Sequence, residues 1–177
     1  NNTITWDEYD PPLEGELDPR EGISIPDTNP TGVYRRSFSV PEAWGGRELF
    51  VHFGGVKQAY FVWIDGTYVG FQQGSNTPGE FDVTDHVEPG GEHELTVRVH
   101  RFSDGEALET IDMFRYAGIF RSVYLVATPQ AHVRDWFVRT GLDDDYEDGR
   151  VRIDAELTDY GGAPDGPYEL RASLYEP

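Results

Sequence analysis

The sequence predicts an all-β fold of the sandwich class, and three observations support that prediction. Apolar and polar residues alternate over short runs such as 95–100, which is typical of half-buried strands. Glycine and proline separate these runs. No stretch keeps the 3.6-residue period of a helix, so we expect many short strands, joined by tight turns, to form an all-β sandwich.

The first strands are predicted in order from residue 33. Tyr34, Arg36, Phe38 and Val40 share one parity, and Asp65-Gly66 predicts a tight hairpin turn. Residues 84–87 allow one short turn of helix. The predicted strands of this region cover residues 34–40, 49–53, 59–64, 67–71, 80–83, 94–101 and 122–127.

Aromatic residues within these strands favour sugar recognition in general, because the apolar faces of pyranose rings pack on flat side chains. Parity and position nevertheless lead to a core interpretation for four of them: Phe61, Trp63, Phe71 and Phe81.

The two ends of the chain differ from its middle in composition and in strand pattern. Residues 1–32 are rich in Pro, Asp, Glu and Gly, and we interpret them as an extended arm. Residues 128–130 resemble a linker, and three more strands are predicted at 131–140, 150–159 and 167–174. Three strands do not close a stable sandwich, so a truncated second domain is expected. The absence of an initiator Met likewise leads us to expect a piece of a longer protein.

The composition is strongly acidic. The formal net charge is -19, from 33 acidic and 14 basic residues, and Lys57 is the only lysine. Such a charge repels nucleic acid and anionic membranes. We interpret it as adaptation to high salt, because the acids are spread along the chain. An acidic surface that recruits cations or a basic partner would need them clustered, and only residues 7–21 and 143–148 are denser.

The absence of cysteine removes any disulfide framework and any redox clue to the compartment, so the cytoplasm is the default expectation. No apolar run approaches the roughly 20 residues that span a membrane, and no signal peptide is recognisable.

Residues 103–121 interrupt the strand pattern with acids, aromatic residues and arginines, a mixture that suits a binding rim between two strands. Asp104-Gly105 is interpreted as a turn, and Glu106 and Glu109 as solvated. Asp112 differs, because the apolar residues 111, 113 and 114 flank it and would hold its carboxylate in a defined place. A fixed carboxylate can accept hydrogen bonds from sugar hydroxyls or ligate a hard cation.

The sequence lacks the motifs that are typical of several other kinds of functional site. The histidines do not have the spacing of a zinc pair, and there is no nucleophile elbow, phosphate loop or dinucleotide fingerprint. Residues 143–148 are interpreted as a solvated turn, because the glycine falls at the wrong position for a calcium loop and the distant bidentate glutamate is absent. A paired-carboxylate glycosidase stays conceivable, but spacing in sequence cannot establish its geometry.

Five motifs resemble, in order, the amino-terminal region of the large β-galactosidases of glycoside hydrolase family 2. The resemblance covers residues 29–140 well and weakens towards the end. The motifs are Asn29-Pro-Thr-Gly-Val-Tyr, Trp63-Ile-Asp-Gly-Thr-Tyr-Val-Gly-Phe, Glu80-Phe-Asp-Val-Thr, Arg101-Phe-Ser-Asp-Gly and Ile111-Asp-Met-Phe-Arg-Tyr-Ala-Gly-Ile-Phe-Arg-Ser-Val.

The resemblance implies a jelly-roll, galactose-binding-like domain over residues 1–128, including the arm 1–32, and the truncated start of an immunoglobulin-like sandwich over 129–177. It also implies that catalysis belongs to a downstream (β/α)-barrel domain, which supplies two glutamates in a retaining mechanism. Neither glutamate can lie in this chain, so no catalytic residue is assigned and the isolated chain is expected to be inactive.

The site residues implied by the resemblance are Asp112 and Asn1. Asp112, within Asp-Met-Phe-Arg, would contact the galactosyl group and a bound sodium ion; the family motif has tryptophan where Phe114 stands. Asn1 matches only part of a second motif, Asn-x-Thr-Tyr-Pro. Magnesium is implied for the full-length enzyme, with ligands outside this chain. Arg115 and Arg121 are expected to hold the loop through ion pairs.

Three readings of the function stay open. The preferred one is the substrate-binding part of a β-galactosidase that acts on terminal β-galactosides beside its downstream barrel domain. The others are a stand-alone carbohydrate-binding module and the same region of a β-glucuronidase-like family 2 enzyme. The sandwich could also serve assembly into homo-oligomers.

Overall fold

The computed structural model describes residues 25, 27–103, 105, 109, 116–161 and 167–175, and in them the all-β prediction is confirmed. Short 3₁₀ turns cover Glu42–Trp44 and Thr84–His86, the second within the predicted helical turn. Among the described residues, no helix is long and apolar enough to span a membrane. The strands are β1 (Thr31–Ser39), β2 (Glu48–Phe53), β3 (Val56–Lys57), β4 (Tyr60–Ile64), β5 (Thr67–Gln72), β6 (Gly79–Asp82), β7 (Glu92–His100), β8 (Gly118–Ile119), β9 (Val123–Thr128), β10 (Ala131–Leu142) and β11 (Gly149–Asp159).

The chain divides into two compact units between Ala127 and Thr128. In the first unit, a four-stranded sheet has the order β1-β7-β4-β5 and a three-stranded sheet has the order β6-β2-β9. A third, two-stranded sheet joins β3 to β8. The register is antiparallel where β7 pairs with β1 and β4, where β4 pairs with β5, and where β2 pairs with β6.

The core of the first unit lies between the four-stranded and three-stranded sheets. Tyr60, Val62 and Ile64 of β4 alternate with less buried residues and contribute one side of it. Phe53 of β2 and Phe81 of β6 contribute the other side, and the rings of Phe53, Tyr60 and Phe81 pack at centroid distances of 5.1 to 5.7 Å. Period-two alternation therefore separates a buried face from a face that points away from the core.

The core interpretation is confirmed for Phe81 and wrong for the other three aromatic residues. Phe61 and Trp63 occupy the intermediate positions of β4, and Phe71 is 45% exposed on β5. Both parities of β4 are apolar, so the sequence pattern does not reveal which of them faces the core. Cross-strand pairing decides it, because Tyr60 lies opposite Val99 and Val62 lies opposite Val97.

The second unit contains the β10–β11 ribbon. Asp143 N–H donates to the Asp148 carbonyl across the connecting turn, and this turn is mostly exposed, as predicted for residues 143–148. The strand predicted at 167–174 is wrong, because residues 167–175 have no strand conformation. A strand forms only where a neighbouring strand completes its hydrogen-bond ladder. The immunoglobulin-like sandwich stays a prediction.

Candidate functional site

The candidate site is in the first unit, around the segment 103–121. This segment follows β7 in the sequence, contains β8 and precedes β9. The structure describes residues 103, 105, 109 and 116–121 of this segment. Asp112 and Asn1, the two predicted site residues, lie outside the described residues, as do Glu106 and Arg115. The described geometry is therefore that of the two ends of the segment, residues 102–103 and 118–121, which we call the first and second stems.

Asn29 fixes the first stem. Its side-chain Nδ2 donates to the Phe102 carbonyl, and its Oδ1 accepts from the Phe102 N–H, both at 3.0 Å. An amide side chain that hydrogen-bonds to both the N–H and the carbonyl of one residue replaces the backbone of a neighbouring strand. The two bonds together leave the Asn29 side chain little rotational freedom. This role gives a physical reason for an asparagine in the motif Asn29-Pro-Thr-Gly-Val-Tyr, and the sequence pattern alone does not reveal it.

A group of buried polar residues lies behind the same stem. Ser103 Oγ donates to Gln58 Oε1 at 3.1 Å, and the neighbouring Lys57 is also buried. Gln58 is 2% exposed, and its Nε2 has no hydrogen-bond partner among the described residues. A buried donor without an acceptor is costly, so this end of the sandwich is built around polar groups and not around apolar packing alone.

Glu109 corrects one sequence prediction, because it is not a solvated acid. Its Oε1 accepts the Ser75 N–H at 2.9 Å, and its Oε2 is buried without a partner among the described residues. Ser75 itself is completely buried, with its Oγ likewise unpartnered in the described part of the chain. The carboxylate therefore ties the segment to the turn that precedes β6.

The second stem is held by backbone pairing and by Arg121. Val56 pairs with Ile119 and Lys57 with Gly118, while Arg121 Nη1 donates to the Gly54 carbonyl at 3.3 Å. The Arg121 guanidinium also lies 5.3 Å from the Phe120 ring centroid. Among the described residues these contacts, and not an ion pair, carry the structural role predicted for Arg121.

Two concave surfaces border these elements. A recess of about 250 Å³ lies beside the second stem and includes Thr31, Gly32, Arg101 and Gly118 in its wall. A larger groove of about 550 Å³ opens between β1 and β9, with walls that include Phe38, Val51 and Leu125. The larger groove is mainly apolar, so the recess offers the better match to a hydroxylated ligand.

Within the strands of the four-stranded sheet, His100 of β7 and Tyr60 of β4 have shifted pKa values. Burial and the nearby Arg98 charge lower the pKa of His100, whose Nδ1 lies 3.1 Å from Thr31 Oγ1. Burial raises the pKa of Tyr60 strongly, so its hydroxyl stays protonated. No cluster of three or more His, Asp or Glu side chains that could hold a metal exists among the described residues.

The fold and the two stems define a β-sandwich module whose strands β7 and β9 flank the polar segment 103–121 in the sequence. Residues 8–129 match the family model described as glycosyl hydrolases family 2, sugar binding domain. The chain therefore belongs to glycoside hydrolase family 2 and contains its sugar-binding domain.

Relatives and solved structures agree with this assignment. The chain is 43% identical to a β-galactosidase of Priestia megaterium over 75% of its length and 13% of the relative, and 38% identical to one of Clostridium acetobutylicum over 82% and 16%. A β-glucuronidase structure from an uncultured Clostridium species is 32% identical, with a TM-score of 0.64 over 71% of this chain and 23% of that one. The chain thus spans less than a fifth of these curated relatives.

Proposed function

We propose that this chain is the non-catalytic, sugar-binding part of a β-galactosidase that hydrolyses terminal β-galactosides. The observation that carries the proposal is the identity of 35 to 43% to several proteins named β-galactosidase, together with the family 2 sugar-binding model. The whole enzyme would place its two catalytic glutamates on a downstream barrel domain, which leaves this chain without turnover of its own.

Asp112 is the residue to which we give a chemical role. Its carboxylate would accept hydrogen bonds from galactose hydroxyls and ligate a sodium ion, which prefers hard oxygen ligands. The two stems support this proposal, because Asn29 and Glu109 tie down the segment on the amino-terminal side of Asp112 and the β3–β8 pairing ties it down on the other side. Asn1 is proposed as a second substrate contact, and magnesium would be held outside this chain.

The test uses the complete product of the gene. Asp112→Asn keeps the side-chain volume and removes the charge, so we expect a lower kcat on a nitrophenyl β-galactoside and a weaker response to added sodium. Asp144→Asn, in the exposed β10–β11 turn, is the matched control and should leave both unchanged. Identical kinetics and sodium response in the Asp112 variant and the parent would refute the role of Asp112.

The structural neighbours favour one alternative specificity, because solved proteins named β-glucuronidase share the fold and one is 32% identical. Parallel assays with nitrophenyl β-galactoside and nitrophenyl β-glucuronide separate the two. Hydrolysis of the glucuronide alone would replace the β-galactosidase proposal. If the gene product hydrolyses neither glycoside, while calorimetry on the chain detects galactose binding, the stand-alone carbohydrate-binding module is the better description.

A further inference from the structure

The outer face of the four-stranded sheet carries aromatic residues and arginines in two rows that cross all four strands. We call it the aromatic face. One row joins Val33, Arg98, Phe61 and Phe71, which are successive cross-strand partners on β1, β7, β4 and β5. The second row joins Arg35, Thr96, Trp63 and Tyr68 in the same way.

Much of this face is open. Val33 is 59% exposed, Tyr68 52% and Phe71 45%. The rings also contact one another, with Phe61 and Phe71 at 4.8 Å and Trp63 and Tyr68 at 5.8 Å between centroids. Contiguous exposed apolar surface of this kind marks interaction sites in soluble proteins, whereas isolated exposed apolar side chains do not.

Arg98 has an unusual environment for a strongly acidic chain. Its guanidinium lies over the rings of Phe61 and Trp63, at 4.8 and 5.2 Å from their centroids. Among the described residues, its buried Nε has no hydrogen-bond partner and no carboxylate pairs with its guanidinium. Stacking on two rings holds the cation in place and leaves it available to a carboxylate from elsewhere.

The distribution of acids over the same strands points in one direction. The chain has 33 acidic residues, yet on the outward parity of β7 they occur only at Glu92 and Glu94, at one end of the strand. The two aromatic rows contain none. Carboxylates favour surface that stays hydrated, while interface cores are poor in Asp, Glu and Lys and rich in Trp, Tyr, Phe and Arg.

We propose that the aromatic face docks onto another domain of the same, longer polypeptide, which supplies a carboxylate to Arg98. This inference rests on the part of the proposed function that makes the chain one piece of a multidomain protein. The curated relatives support that part, because this chain matches only 13 to 17% of their length. A second copy docked face to face is disfavoured, since it would oppose arginines to arginines and join two chains of net charge -19.

The test compares hydroxyl-radical footprinting of the 177-residue chain with that of the complete gene product. We expect Tyr68, Phe71 and Trp63 to be oxidised readily in the chain and severalfold more slowly in the gene product. Tyr60, which is 1% exposed, sets the level of a buried tyrosine in both samples. This measurement needs no catalytic activity, so it can fail or succeed independently of the β-galactosidase proposal.

A variant pair tests the role of Arg98. Arg98→Gln should lower the melting temperature of the gene product clearly more than that of the isolated chain, which loses only the stacking on Phe61 and Trp63. Arg150→Gln, at an exposed position of β11, should affect neither. Equal oxidation of the aromatic face in the chain and the gene product would overturn the proposal. So would protection that rises with the concentration of the chain alone, or protection that requires added galactan oligosaccharide.

Discussion

His93 and Asp65 join the tip of the β4–β5 hairpin to β7, with His93 Nδ1 donating to Asp65 Oδ2 at 2.6 Å. On the other side of the ring, His93 Nε2 accepts the Glu88 N–H at 3.0 Å. Asp65 Oδ1 accepts the Glu94 N–H at 2.7 Å. One carboxylate thus fastens the hairpin turn to the neighbouring strand.

Asp65→Asn is expected to lower the free energy of unfolding at neutral pH. The Glu94 N–H and the hydrogen bond from His93 lower the pKa of Asp65, so the charged form is favoured in the folded protein. That stabilisation is complete above the ordinary aspartate pKa and is lost as pH falls through the lowered, folded-state value. Asn tolerates the left-handed backbone of this position, where φ is 48°.

Urea unfolding at neutral and at strongly acidic pH measures this effect. The difference between Asp65→Asn and the parent should shrink in acid, because both then carry a neutral side chain. A difference that is independent of pH would show that geometry, and not charge, causes the loss.

Gly79→Ala is expected to destabilise the first unit by about 1–3 kcal/mol or more, the usual cost of overpacking. A Cβ at Gly79 would lie 1.8 Å from the Tyr60 hydroxyl oxygen and 2.4 Å from Gln72 Oε1. Gly141→Ala is the matched control, since its Cβ would meet nothing within 4 Å in β10. Thermal unfolding of both variants decides the point, and equal melting temperatures would contradict the packing around Tyr60.

Glu109→Ala is expected to cost about 1–3 kcal/mol, because it leaves the buried Ser75 N–H without an acceptor. Glu109→Gln retains a carbonyl oxygen and should restore most of that loss. Hydrogen exchange at the Ser75 amide reports the contact directly, with fast exchange in the Ala variant and slow exchange in the Gln variant. Unchanged exchange in both would refute the anchor.

Molar potassium chloride is expected to raise the melting temperature of the chain. A net charge of -19 opposes the compact state, and salt screens that repulsion. Sucrose at equal osmolality is the control for general exclusion of solutes from the protein surface. A melting temperature that stays flat or falls with salt would contradict our interpretation of the acidic composition.

Much of the architecture could be predicted from alternation and turn residues. The hairpin at Asp65-Gly66, the strands around it and the β10–β11 ribbon follow from local patterns. The very short strands β3 and β8 could not be predicted, because two residues carry no periodicity. Each of them depends on a partner that is distant in the sequence, because Val56 lies opposite Ile119 and Lys57 opposite Gly118.

The errors at the site and on the aromatic face have one common cause. Whether Glu109 is solvated depends on Ser75, which lies 34 residues earlier, and whether Trp63 is buried depends on which face of β4 meets the second sheet. Neither relation is local in the sequence. The role of Asp112 came from the resemblance to the family and lies outside the described residues, so it stays a prediction.

The pairing of β1 with β7 has a consequence for how the chain folds. Thr31 and His100 are joined across 69 residues, whereas β4 and β5 meet through a two-residue turn. Closing the longer loop costs more chain entropy before any contact compensates for it. The β4–β5 hairpin is therefore expected to form early and β1 to join the sheet last. Refolding is expected on the millisecond-to-second scale of domains dominated by distant pairings.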